Sequence, residues 1–104
     1  MVTVNVVVLA GRLSADPEFV EMPSGDTVAR LRLQVPETGT RVLPLPVAAW
    51  TSTTRRSCER LHKGDPVMVR GHLQRRFFRG TGGGRSIMEV VAREVQRLEL
   101  PDES

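Results

Sequence analysis

Four aromatic residues stand in this chain of 104 residues, Phe19, Trp50, Phe77 and Phe78, and there is no tyrosine. Phe77 and Phe78 lie within a run of arginines, Arg70, Arg75, Arg76, Arg79 and Arg85. Flat rings interleaved with guanidinium groups suit a polyanion that carries bases. A guanidinium pairs with phosphate bidentately and also stacks on a base; a ring stacked on a base contributes ~1–3 kcal/mol whatever the base is. The charge distribution points the same way. Lys and Arg number 15 against 12 Asp and Glu, and residues 41–87 hold ten of the cations with only two of the anions. Every cation but Lys63 is an arginine. A positive block inside a nearly neutral chain implies a polyanionic partner, nucleic acid first among them.

Other chemistries find no footing. His62 and His72 are ten residues apart with no ligand set around them, so no metal site and no cofactor is expected. No nucleophile, histidine and carboxylate fall into a catalytic pattern, which argues against an enzyme. Gly80-Thr81-Gly82-Gly83-Gly84 lacks the Gly-Lys-Ser/Thr ending of a phosphate loop and reads as a hairpin tip. The single cysteine, Cys58, excludes an internal disulfide and reads as a small buried hydrophobe. No apolar run reaches membrane-spanning length, and Met1–Ala10 lacks the basic start and cleavage motif of a secretory signal. The expected compartment is the reducing cytoplasm, beside the nucleoid, with no membrane partner.

The elements that position these residues are short and mostly extended. Val2 to Leu9 reads as a largely buried strand ending at Ala10-Gly11, and Gly11 to Glu18 as a break. Ala29, Leu31, Leu33 and Val35 alternate with Arg30, Arg32 and Gln34, giving a strand with two arginines on its outer face. Arg41 to Trp50 is a third strand. Pro44 and Pro46 place it at an edge or out of the sheet, and the parity of Trp50 opposes Leu43, Leu45, Val47 and Ala49, turning the indole outward. Thr51 to Thr54 supply caps for a short helix through Leu61, closed by Gly64. Its Arg55, Arg56 and Arg60 read as a solvated face. Val67, Val69, Gly71 and Leu73 alternate with Met68, Arg70, His72 and Gln74 in a strand that continues through Arg76 and Phe78, and Gly71 marks a bend. Arg70, His72, Gln74, Arg76 and Phe78 then share one face. Ile87 to Leu98 returns, with a spacing that fits a helical stripe as well as a strand.

Five strands with one short helix between strands 3 and 4 fit an all-β, five-stranded OB-fold barrel, which binds oligonucleotides across its strand 2–3 face and loops. One domain spans residues 1–100, with 101–104 as a frayed acidic end.

These segments, taken in order, resemble the bacterial single-stranded-DNA-binding protein family. The carriers are Asn5 to Leu13, Asp16-Pro17-Glu18, Pro23-Ser24-Gly25, Val47-Ala48-Ala49-Trp50, Leu61 to Asp65, Val67 to Leu73 and Glu89 to Ala92. The resemblance implies that Ile87 to Leu98 is strand. It also implies that Trp50 and Phe78 occupy positions of base-stacking aromatics, with Phe77, on the opposite face, as the alternative to Phe78. With the arginines, the implied nucleic-acid-binding set is Arg30, Arg32, Trp50, Arg70, His72, Gln74, Arg76, Phe78, Arg79 and Arg85. The implied partner is single-stranded DNA, bound regardless of sequence in replication, recombination or repair. A homo-oligomer is implied too, a tetramer in preference to a dimer, paired through the first strand.

The chain departs from the family pattern in two ways. It carries Pro44 and a short Pro36–Thr40 turn where family members place further aromatics, and Asp102-Glu103 where they carry a long acidic tail that recruits proteins. Recruitment through a tail is therefore not expected. The alternatives are an accessory interaction subunit resembling primosomal replication protein B, with weak nucleic-acid binding, and an RNA chaperone using the same stacking physics.

Overall fold

The first strand, β1, spans Val7–Leu13, not Val2–Leu9. Val2, Val4 and Val6 precede the ladder and are 91%, 80% and 64% exposed, so the expected burial fails there. The strand instead runs on through Ala10-Gly11. Glycine is required at 11 because a Cβ there would overlap the backbone carbonyl of Gln34 where β1 crosses its neighbour. Asn5 reaches past the end of the ladder: its carboxamide donates to the Leu73 carbonyl at 2.8 Å and accepts from the Leu73 amide at 2.9 Å.

The computed structural model describes residues 2–80 and 83–99, with side chains omitted at 79 and 80. A four-residue strand that the sequence pattern did not announce, β2 (Glu18–Glu21), pairs with β3 (Thr27–Pro36). β4 (Val42–Ala49) follows, then α1 (Ser52–Cys58), β5 (Pro66–Gly80) and β6 (Gly83–Arg97). The sheet order is β1-β5-β6-β4-β3-β2, and an added β1–β3 pairing closes the first five of these into a barrel. With the short β2 set aside, α1 falls between the third and fourth barrel strands, the OB-fold arrangement.

The period-two segments behave as read where they lie in the barrel, whereas Leu43 and Leu73, on the same parities, are exposed. Leu31, Leu33, Val47, Ala49, Val67, Val69, Val90, Ala92 and Val95 point inward and form the core with Leu13, Ala29, Cys58 and Leu61. The helical stripe in the last segment does not form a helix; residues 83–97 are strand because every position from Gly80 back to Val67 pairs with them. A bulge sits between Arg70 and Gly71, where the sequence marks a bend.

The helix is shorter than expected. Thr51 caps it, accepting from the Thr54 amide at 3.2 Å. It ends at Cys58, where the Glu59 amide is shared between the Arg55 and Arg56 carbonyls. Gly64, with φ +91°, serves a separate turn in which the Asp65 amide donates to the His62 carbonyl at 3.0 Å. The carboxylates of two motif segments hold that turn. Asp16 Oδ1 accepts from the Lys63 amide at 2.7 Å and Asp65 Oδ2 from the His62 amide at 2.8 Å.

Above Leu73 and Glu89, β5 and β6 continue as a two-stranded ribbon. β1 pairs β5 only as far as Gly71, and β4 pairs β6 only at Val90 and Val91. The expected hairpin tip at Gly80–Gly84 includes Thr81 and Gly82, which lie outside the described residues, as do Met1 and 100–104. Among the described residues no helix is long and apolar enough to cross a membrane.

Candidate functional site

The outward positions of β3 and β4 face each other in register: Arg30 opposite Ala48, Arg32 opposite Pro46, Gln34 opposite Pro44. The β3–β4 ladder runs unbroken through both prolines, and β6 covers β4 only at Val47 and Ala48. The prolines therefore sit along the open edge of β4, where a missing N–H costs no ladder bond. On the ribbon the outward row reads His72 opposite Val91, Gln74 opposite Glu89, Arg76 opposite Ile87 and Phe78 opposite Arg85.

The barrel's curvature brings these two outer faces around one cleft of about 400 Å³. Its charged lining is Arg30, Arg32 and Arg76 with Asp16, Glu18 and Glu89, set beside Leu31, Pro46 and Val47. A second hollow of about 290 Å³, lined by Ser14, Leu33, Pro44 and Leu45, shares Arg32 and Pro46 with the first. The two hollows adjoin into a track with cations at its border and proline rings along it.

The three arginines are not electrostatically equal. Arg76 Nε donates to Glu89 Oε2 at 3.3 Å, and Glu89 is only 2% exposed. The Arg76 guanidinium carbon also lies 5.6 Å from the Phe78 ring centroid, within cation–π range. Among the described residues, Arg30 and Arg32 have no carboxylate oxygen within 4.0 Å. Glu18 stands directly opposite Arg30 in the β2–β3 ladder, so Arg32 is the less opposed of the two.

Of the ten residues singled out from the sequence, the cleft gathers Arg30, Arg32 and Arg76. Phe78 joins through Arg76, and Arg85 stands beside Phe78 in the ladder. Gln74 and His72 continue the same row down the ribbon. Arg70 sits farther along it and is held by Glu94, Nε to Oε1 at 3.2 Å. Trp50 does not line the cleft; it lies just past the end of β4 and is half-buried, not fully turned to solvent. The Arg79 backbone belongs to β5, and its side chain lies outside the described residues. Phe77, on the other side of the ribbon, is 75% exposed, and Phe78 is 38% exposed.

One helix arginine departs from its expected role. Arg55 is half-buried, and its Nη1 donates to the Thr27 carbonyl at 3.1 Å and to the Trp50 carbonyl. It straps α1 to the start of β3 and the end of β4 and is not part of a solvated face. Cys58 is buried as expected, and burial pushes its thiol up to about 11.

Sequence reasoning missed Glu89 and Pro46 as site residues. A glutamate before two valines reads as a surface residue of a strand. Counting outward from the glycine tip, with Gly80 opposite Gly83, sets Glu89 opposite Gln74 and diagonal to Arg76, and that count is the signal that finds it.

Comparison with known proteins adds a finding of another kind. The model of the single-strand binding protein family matches residues 4–98. Single-stranded DNA-binding protein 2 of Listeria innocua is 34% identical over 91% of this chain and 64% of the relative. Single-stranded DNA-binding protein 2 of Chlorobaculum tepidum is 31% identical over 94% of this chain and 73% of the relative. Single-stranded DNA-binding protein 1 of Staphylococcus aureus is 38% identical over 91% of this chain and 61% of the relative. The chain thus spans roughly two thirds of the length of these relatives.

Proposed function

Because the chain belongs to the single-strand binding protein family, we propose that it binds single-stranded DNA without regard to sequence and protects it during replication, recombination or repair. The observation that carries this reading is the convergence of Arg30, Arg32 and Arg76 on one cleft, two of them without an ion pair within 4.0 Å among the described residues. Free guanidinium groups pair with phosphates along a backbone path, while Phe78 and Trp50 stack bases, and neither contact reads the base identity. Arg85, Gln74 and His72 extend the track along the ribbon. Arg70 contributes least, since Glu94 already meets its charge.

The reading is of a binding protein and not of an enzyme, acting in the cytoplasm at the nucleoid. The relatives' names favour it over the accessory interaction subunit. Copies of the chain associate, a tetramer in preference to a dimer. Supporting this are the exposed Val2, Val4 and Val6 that lead into β1, together with Val8 within it, still 62% exposed. Light scattering that returns a single-chain mass would contradict association.

Trp50 is the only tryptophan, so its emission reports directly. Titration with an oligothymidine at low salt should quench it and produce a gel shift, with RNA of the same length binding more weakly. Unchanged emission together with no gel shift contradicts DNA binding, and tighter binding to RNA reassigns the substrate.

A further inference from the structure

Glu89 is the one charged residue in the barrel's fully buried set. It sits on the outward side of β6, opposite Gln74, and yet is 2% exposed, lining the cleft with Arg76 against it. Its Oε2 takes the Arg76 Nε, and its Oε1 is buried with no hydrogen-bond partner. Burying a carboxylate is unfavourable unless a cation is held against it, and an orphaned oxygen adds to that cost. The arrangement is therefore not explained by stability alone.

Its geometric effect is definite. Binding through Nε leaves both terminal nitrogens of Arg76 outside the pair. The edge of the guanidinium is fixed by Glu89, and the group is held over Phe78, 5.6 Å from the ring centroid. An arginine can serve a single strand as a phosphate clamp or as a stacking plane. A guanidinium whose charge is already met by a carboxylate releases few counterions on meeting a phosphate, but its flat face is unaffected.

We propose that Glu89 is a positioning residue that fixes Arg76 as a stacking plane beside Phe78, leaving the phosphates in the cleft to Arg30 and Arg32. A base then extends the stack that Phe78 and Arg76 begin. This rests on the reading that the cleft takes a single strand of DNA.

The test is the salt dependence of oligothymidine binding by the full chain, for the parent, Glu89→Gln and Arg76→Lys. Glu89→Gln is nearly isosteric and removes the neutralising charge. The slope of log affinity against log salt should steepen by about 0.7, one phosphate on a single strand. Arg76→Lys keeps the charge and loses the plane, so affinity should fall about fivefold or more with the slope unchanged. A purely structural Glu89 would lower the melting temperature of Glu89→Gln without moving the slope, and that result overturns the proposal. So does an Arg76→Lys variant that binds as tightly as the parent, which decides the matter even if Glu89→Gln fails to fold. Failure of the parent to bind overturns the DNA-binding reading along with this one, whereas a binding parent with either contrary variant overturns this one alone.

Discussion

Gly71, opposite Ala92 in the β5–β6 ladder, lies so close to the Val91 carbonyl that a Cβ at residue 71 would overlap the Val91 oxygen and lie 2.9 Å from its carbonyl carbon. The approach occurs at the bulge where β5 leaves β1 and continues into the ribbon. Of the row His72 to Phe78 that follows this bulge, Arg76 lines the cleft, so a backbone requirement precedes the candidate site on the same strand. Gly71→Ala should destabilise the fold by about 1–3 kcal/mol in urea unfolding. Gly84→Ala, with open space around its Cβ position, should stay within about 0.5 kcal/mol of the parent.

Arg55 separates structural from binding cations. Its guanidinium donates to two backbone carbonyls, at Thr27 and Trp50. Hydrogen bonds from a charged donor contribute about 1.5–3 kcal/mol. Arg55→Ala should lower stability by an amount of that order and leave the salt slope of DNA binding where it was. A flatter slope at unchanged stability would make Arg55 a phosphate contact instead.

The expectations that held and those that failed divide along a physical line. β3 was legible because Leu31 and Leu33 face a core while Arg30 and Arg32 face water, and that contrast is written in alternate residues. β1 was misplaced because Gly11 looks like a terminator. Its reason for being glycine is the Gln34 carbonyl of another strand, which no local pattern contains. β2 was missed because its burial pattern is almost wholly exposed and its order comes from pairing with β3. The same holds in the site. The arginines announce themselves by type, but which of them is free depends on partners such as Glu89 and Glu94, far off in sequence.

Cys58 sets a pH limit. Its thiol is pushed from the ordinary 9.0 to about 11 by burial. The unfolded chain loses this proton first, so stability is undiminished below pH 9 and falls as pH rises from 9 toward 11. Urea midpoints taken across that range should decline for the parent, and the part of the decline due to Cys58 should vanish in Cys58→Ala. In the folded protein at pH 8 the thiol should also react with alkylating agents only as fast as the chain opens.

The most direct test of the account is the salt slope of oligothymidine binding for the parent and for Arg30→Ala/Arg32→Ala. Both side chains face outward on β3 and leave the core untouched, so the variant should fold normally. If the two guanidinium groups meet phosphates in the cleft, the slope should shrink by about 1.4, two phosphates on a single strand. A folded double variant with the parent's slope and affinity would mean that the DNA runs elsewhere on the barrel.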